Sequence, residues 1–144
     1  MNIVHVTADH AAIWAQLCHE LWPDHAIEYR LEAFGNGECP HEYICFVGNV
    51  GAAFMSLSVR HDYVEGKPDA NPVGYLEGIY VKPEFRGHGI AKALVHHAKA
   101  WSAMQGCSIL ASDCELDNEG SRLFHQKIGF DEVGINVHFT MNLR

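Results

Sequence analysis

The run Arg86-Gly87-His88-Gly89-Ile90-Ala91 lies where one hydrophobic period gives way to another. Before it, Ile79, Tyr80 and Val81 read as the end of a buried strand, stopped by Pro83. After it, Ile90, Leu94, Ala98 and Trp101 recur at helical spacing. Glycines let a backbone close on a ligand. Free amides at a helix N-terminus, at the positive end of its dipole, bind phosphate. Arg86 adds a fixed cation. The chemistry is therefore anion binding; the alternative is a tight strand-to-helix connection. The turn is not a Walker A loop, since no Lys-Ser or Lys-Thr follows at the required spacing. Nor is it a dinucleotide fingerprint, because the third small residue of GxGxxG is missing.

The elements that must position this turn follow from the rest of the chain. Residues 2–6 suggest a first strand. Asp9 reads as the cap of a helix over 10–21, with Ile13, Trp14, Leu17 and Leu21 on one face and Pro23 after it. A weaker helix covers 26–34, before the breaker cluster GNGECP. Residues 43–48 and 52–61 form a hairpin about NVG, and 65–72 is a second turn region. The strand at 73–82 enters the glycine turn, and a helix at 89–104 leaves it. Gly106 reads as its C-cap. A strand at 107–112 follows, then a helix over 119–128 capped by Asp117 or Asn118 and stopped at Gly129. Residues 130–142 suggest one or two final strands. Antiparallel strands followed by a strand–helix–strand unit imply a mixed sheet with helices packed on it.

Composition bounds the function. The 144 residues suit one domain, and 48% hydrophobic content suits a folded core. No apolar run is long enough to span a membrane, and the N-terminus lacks the pattern of a secretory signal. Five cysteines, Cys18, Cys39, Cys45, Cys107 and Cys114, form no CxxC pair, which reads as a reduced, cytoplasmic protein. The net charge of −8 argues against nucleic acid and fits a cationic partner or simply an acidic protein. Eleven histidines invite a metal, but no HExxH and no Cys/His pairs at zinc spacing appear, so none is expected.

Val81-x-Pro83-x-x-Arg86-Gly87-x-Gly89-Ile90-Ala91 resembles the acetyl-CoA motif of the GNAT N-acetyltransferases. A second motif stands at the right distance: Asn118, then Phe124-His125-Gln126-Lys127-Ile128-Gly129-Phe130, where the family usually shows Asn, then Leu-Tyr-x-x-x-Gly-Phe. Further stretches, LWP at 21–23, RHDYVEG at 60–66, PVGYLEGIYVKP at 72–83 and ASD at 111–113, resemble the aminoglycoside 6'-N-acetyltransferases within it. The likeness spans most of the chain. It implies a single GNAT domain over 1–144: an α/β (α+β) fold with a mixed, mostly antiparallel sheet of six to seven strands and four helices. It implies acetyl-CoA as co-substrate, held by Ile79, Val81, Arg86, Gly87, His88, Gly89, Ile90, Ala91, Asn118 and His125. It also implies a homodimer, for which the apolar stretch VHFTMNL at 137–143 is the candidate pairing strand.

An aminoglycoside is a polycation, so its site should present carboxylates and aromatic faces. Glu77, a carboxylate inside an apolar strand, and Asp113, at the end of the next strand, are the candidates to bind the amine and take its proton; Glu77 also fits an exposed edge or bulge. Trp22, His25, Tyr63 and Glu132 are candidates for the drug site, and Asp24 and Glu115 are weaker ones. Trp22 equally fits core packing. His125 stands where the family often has the Tyr that protonates the departing thiolate. Histidine can donate there too, or merely pack near the cofactor. The rival functions are acetylation of another amine, such as a polyamine or a protein N-terminus, and a non-catalytic acyl-CoA sensor.

Overall fold

The computed structural model describes residues 1–62, 67 and 69–144. Among them, strands β1 (Asn2–His5), β2 (Glu42–Val47), β3 (Val50–Arg60), β4 (Val73–Val81) and β5 (Leu110–Ser112) form one sheet in that spatial order. The first four pair antiparallel; β4 and β5 are parallel, joined through helix α3 (Ile90–Met104). Helices α1 (Ala11–Leu21) and α2 (Ile27–Gly35) precede the hairpin, and α4 (Glu119–Ile128) follows β5. No helix among the described residues is long and apolar enough to cross a membrane, and all five cysteines are free thiols.

Both faces of the sheet are covered, and the period-two alternation of β2 and β3 sorts their side chains between two cores. Ile44 and Phe54 point toward α1, where Trp14, Leu17 and Cys18 form its buried stripe. Tyr43, Cys45, Ala53 and Met55 point the other way, against Ile90, Leu94, Ala98 and Trp101 of α3. At Gly78 the α1 side comes closest: a Cβ there would meet the Trp22 ring at 2.3 Å.

The sheet departs from expectation in three places. It has five strands, not six or seven. Residues 130–144 carry neither helix nor strand, although Val133, Ile135, Val137, Phe139, Met141 and Leu143 alternate as a strand would and stand exposed. A strand exists only with a hydrogen-bonding neighbour, and this segment has none within the described chain. β5 is three residues long rather than six. At the first helix, His10 rather than Asp9 takes the cap position: Asp9 lies inside a 3-10 turn, Ala8–His10, that Thr7 opens and that runs into α1.

Candidate active site

Where β4 ends, Pro83–Phe85 forms a single 3-10 turn and the chain swings into α3. Gly87 and Gly89 both sit at φ +80°, the left-handed region that glycine enters without steric cost. A Cβ at either would meet nothing within 4 Å, so both border open space. The first main-chain bond of α3 runs from Ala93 N–H to the Gly89 carbonyl at 3.0 Å. The amides before it are left for a ligand. Arg86 Nε donates to the Val81 carbonyl at 2.9 Å, pinning the guanidinium beside them.

This turn forms one end of a groove of about 720 Å³. Its walls are Ile79 and Val81 of β4, Ile90 and Ala91 of α3, and Asn118 and Phe124 of the α4 segment. The groove exists because β4 and β5 part. Their pairing runs from Gly74↔Leu110 to Leu76↔Ser112 and then stops. At that point the β3–β4 register steps from Leu57↔Leu76 to Ser56↔Gly78, making Glu77 the extra residue of a β-bulge. Beyond it, β4 offers an unpaired main-chain edge to whatever lies along the groove.

Around the bulge, five side chains share one network. Glu77 accepts from Arg60 Nη2 at 2.7 Å, Arg60 Nε at 3.1 Å and Ser58 Oγ at 2.5 Å. The Arg60 guanidinium carbon lies 3.5 Å from the centroid of the Tyr75 ring, and the Tyr75 hydroxyl donates to Asp113. Burial, then the Asp113 carboxylate, raise the Tyr75 pKa far above its ordinary value, so the phenol is the donor in this pair. The two candidate carboxylates are thus brought into one cluster, bridged by Arg60 and Tyr75.

The remaining candidates are spread more widely. His125 is not on the groove wall: its Nε2 lies 2.8 Å from Ser112 Oγ at the end of β5, and its Nδ1 lies 2.7 Å from the Ser121 carbonyl. Ser112 Oγ also reaches the Leu76 carbonyl at 3.1 Å. Nδ1–H donates to the Ser121 carbonyl, and the single Ser112 hydroxyl hydrogen goes either to the Leu76 carbonyl or to Nε2. His88 turns back to the Phe85 carbonyl. Trp22 packs on Gly78 and Phe54 on one side, with the Arg30 guanidinium 4.6 Å from its ring. His25 stacks on Tyr29, and Glu132 pairs with Arg122 at 2.7 Å. Asp24 and Glu115 are exposed. Tyr63 lies outside the described residues.

Comparison with known proteins fits this geometry. Residues 8–130 match the Acetyltransferase (GNAT) family. An aminoglycoside N(6')-acetyltransferase type 1 of Stenotrophomonas maltophilia is 36% identical over 144 residues, covering 99% of this chain and 94% of its own. The chain belongs to the GNAT acetyltransferases. Two solved aminoglycoside acetyltransferase structures are similar throughout. The enzyme AAC(6')-IG from Acinetobacter haemolyticus superposes with a TM-score of 0.92 at 29% identity, covering all of both chains. AAC(6')-Iy, bound to the bisubstrate analogue CoA-S-monomethyl-acetylneamine, gives 0.88 at 32% identity over 98% of this chain and 97% of that one.

In this GNAT chain, reading the sequence for chemistry passed over Ser58, Arg60 and Tyr75. Only the spacing within each strand was readable, Ser58 and Arg60 two apart on β3 and Tyr75 and Glu77 two apart on β4; the pairing of Ser58 with Tyr75 is set by register. Period-two alternation, combined with the hairpin register, puts all four on one face.

Proposed function

We propose that this GNAT enzyme transfers acetyl from acetyl-CoA to the 6'-amino group of aminoglycosides, inactivating them and so conferring resistance. The observation that carries the reading is the groove's layout. An anion-binding turn stands at one end, and two carboxylates with an aromatic ring stand where β4 and β5 part. The turn takes the CoA pyrophosphate, and the open edge of β4 takes the pantetheine arm. The polycationic acceptor meets Glu77 and Asp113, with Trp22, His25, Tyr63 and Glu132 as the wider drug site.

The chemistry follows as direct attack in a ternary complex. An ammonium is no nucleophile, so Glu77 or Asp113, directly or through water, takes one proton. The neutral nitrogen attacks the thioester carbonyl. A main-chain N–H of β4, at Ile79 or Val81, donates to the oxyanion that forms. Collapse breaks the carbon–sulfur bond, and His125 protonates the leaving thiolate through Ser112: Nε2–H passes to the Ser112 oxygen as the Ser112 hydroxyl proton passes to sulfur. Holding both substrates in one groove supplies the rest.

We assign the reaction to the cytoplasm and the active protein to a homodimer. The alternating tail from Val133 to Leu143 supports the dimer. Its alternation is that of a strand, and the outer edge of β5, beside a groove lined in part by Ile109, Leu110 and Phe130, is open to one. Thiol release from acetyl-CoA with a panel of amines tests the function. Turnover of aminoglycosides above polyamines and peptide N-termini is the expected result. Preference for another amine overturns the substrate, and no release with any amine leaves a sensor.

A further inference from the structure

The candidate amine site holds a cation of its own. Both oxygens of Glu77 are engaged by Arg60, at 2.7 Å and 3.1 Å, and Ser58 adds a third donor. Those are the lone pairs an incoming ammonium would use. The guanidinium is also set on the Tyr75 ring, whose hydroxyl is spent on Asp113. One arginine therefore neutralises Glu77 and covers the aromatic group beside the second carboxylate. Yet it stands outside the core: Arg60 is the final residue of β3, its side chain is 36% exposed, and no core cluster includes it.

We propose that Arg60 is a resident counter-cation, a specificity-determining residue that acceptor ammonium groups must displace from Glu77. The inference rests on the reading of Glu77 as part of the acceptor site. Binding is then an exchange of cations. The guanidinium leaves Glu77 and moves outward, and a substrate ammonium takes the carboxylate and the Tyr75 face. The exchange selects for charge. A monoamine brings one ammonium against a bidentate, ring-stacked guanidinium and competes poorly. An aminoglycoside offers further ammonium groups to Asp113 and the acidic surroundings, and prevails.

The test is calorimetric binding of neamine to the CoA-loaded enzyme, wild type against Arg60→Ala, with turnover of neamine recorded in parallel. The exchange predicts that Arg60→Ala binds neamine about three- to tenfold more tightly. It also predicts that guanidinium chloride, at concentrations far below denaturing and against matched sodium chloride, competes with neamine in the variant but not in the wild type. Weaker binding in Arg60→Ala, restored by guanidinium, would make Arg60 a positioning group for Glu77 and overturn the proposal. Unchanged binding would reduce the pair to a surface contact and overturn it equally. Failure of the wild type to turn over neamine counts against the substrate reading, while the binding comparison still decides the exchange.

Discussion

At the scale of single residues, His125 and Glu42 carry the sharpest expectations. The His125 imidazole touches Ser112 and Ser121, so its role is either proton donation or packing between α4 and β5. As an acid it is worth roughly a hundredfold in rate. His125→Ala should then slow single turnovers by that order, His125→Tyr should recover much of the loss, and His125→Phe should not. Equal rates for Phe and Tyr would remove His125 from the chemistry. Glu42 is a different case, a carboxyl only 4% exposed, held by Trp14 Nε1 at 2.9 Å and Ser56 Oγ at 2.6 Å. Burial pushes its pKa from 4.5 up to about 7. Between those values the folded protein keeps a proton that the unfolded chain has lost, so stability falls as pH rises through the window and then levels. The loss is on the order of 3 kcal/mol. Glu42→Gln, which cannot ionise, should gain in melting temperature relative to wild type between pH 5 and pH 8. A gap that stays constant over that range would contradict the assignment.

At the scale of elements, the start of α3 is the part the phosphate chemistry depends on. Gly89→Asp would send a carboxylate into open groove, toward the place of the pyrophosphate, at a backbone cost of about 1–2 kcal/mol for the left-handed conformation. Gly89→Asn carries a similar backbone cost without the charge. CoA binding by calorimetry should be abolished in the first and only weakened in the second, with both still folded. Near-normal affinity of a folded Gly89→Asp would remove the phosphate assignment. This turn was legible in the sequence because its signals are local: a change of period, two glycines and an arginine. Helices α1, α3 and α4 were legible for the same reason, and Asn118 does cap α4 by accepting from Ser121 N–H at 3.1 Å. What depended on pairing was not legible. The bulge that extrudes Glu77, the Arg60 contact that occupies it and the early end of β5 are consequences of register between strands. The direction of the His125 ring depends on how α4 packs on β5.

At the scale of the whole molecule, the tail is the feature one chain leaves unresolved in energy. Six large apolar side chains from Val133 to Leu143 are 52–92% exposed, at every second position. Such a surface is rarely left to solvent. Sedimentation should give a dimer, and Phe139→Asp with Val137→Asp should give a monomer; a wild-type monomer at micromolar concentration would refute the dimer. The same tail begins beside α4, where Arg122 holds Glu132 at 2.7 Å, so dimer loss should also raise the KM for the acceptor. The central claim, however, is regiochemical: the groove delivers acetyl to one amine. The direct measurement is acetyl-CoA turnover with neamine and with its congener carrying a hydroxyl in place of the 6'-amine, the product located by NMR. The account predicts rapid thiol release with neamine, acetyl on the 6'-nitrogen and negligible turnover of the congener. Equal turnover of the two, or acetyl on any other nitrogen, would contradict it.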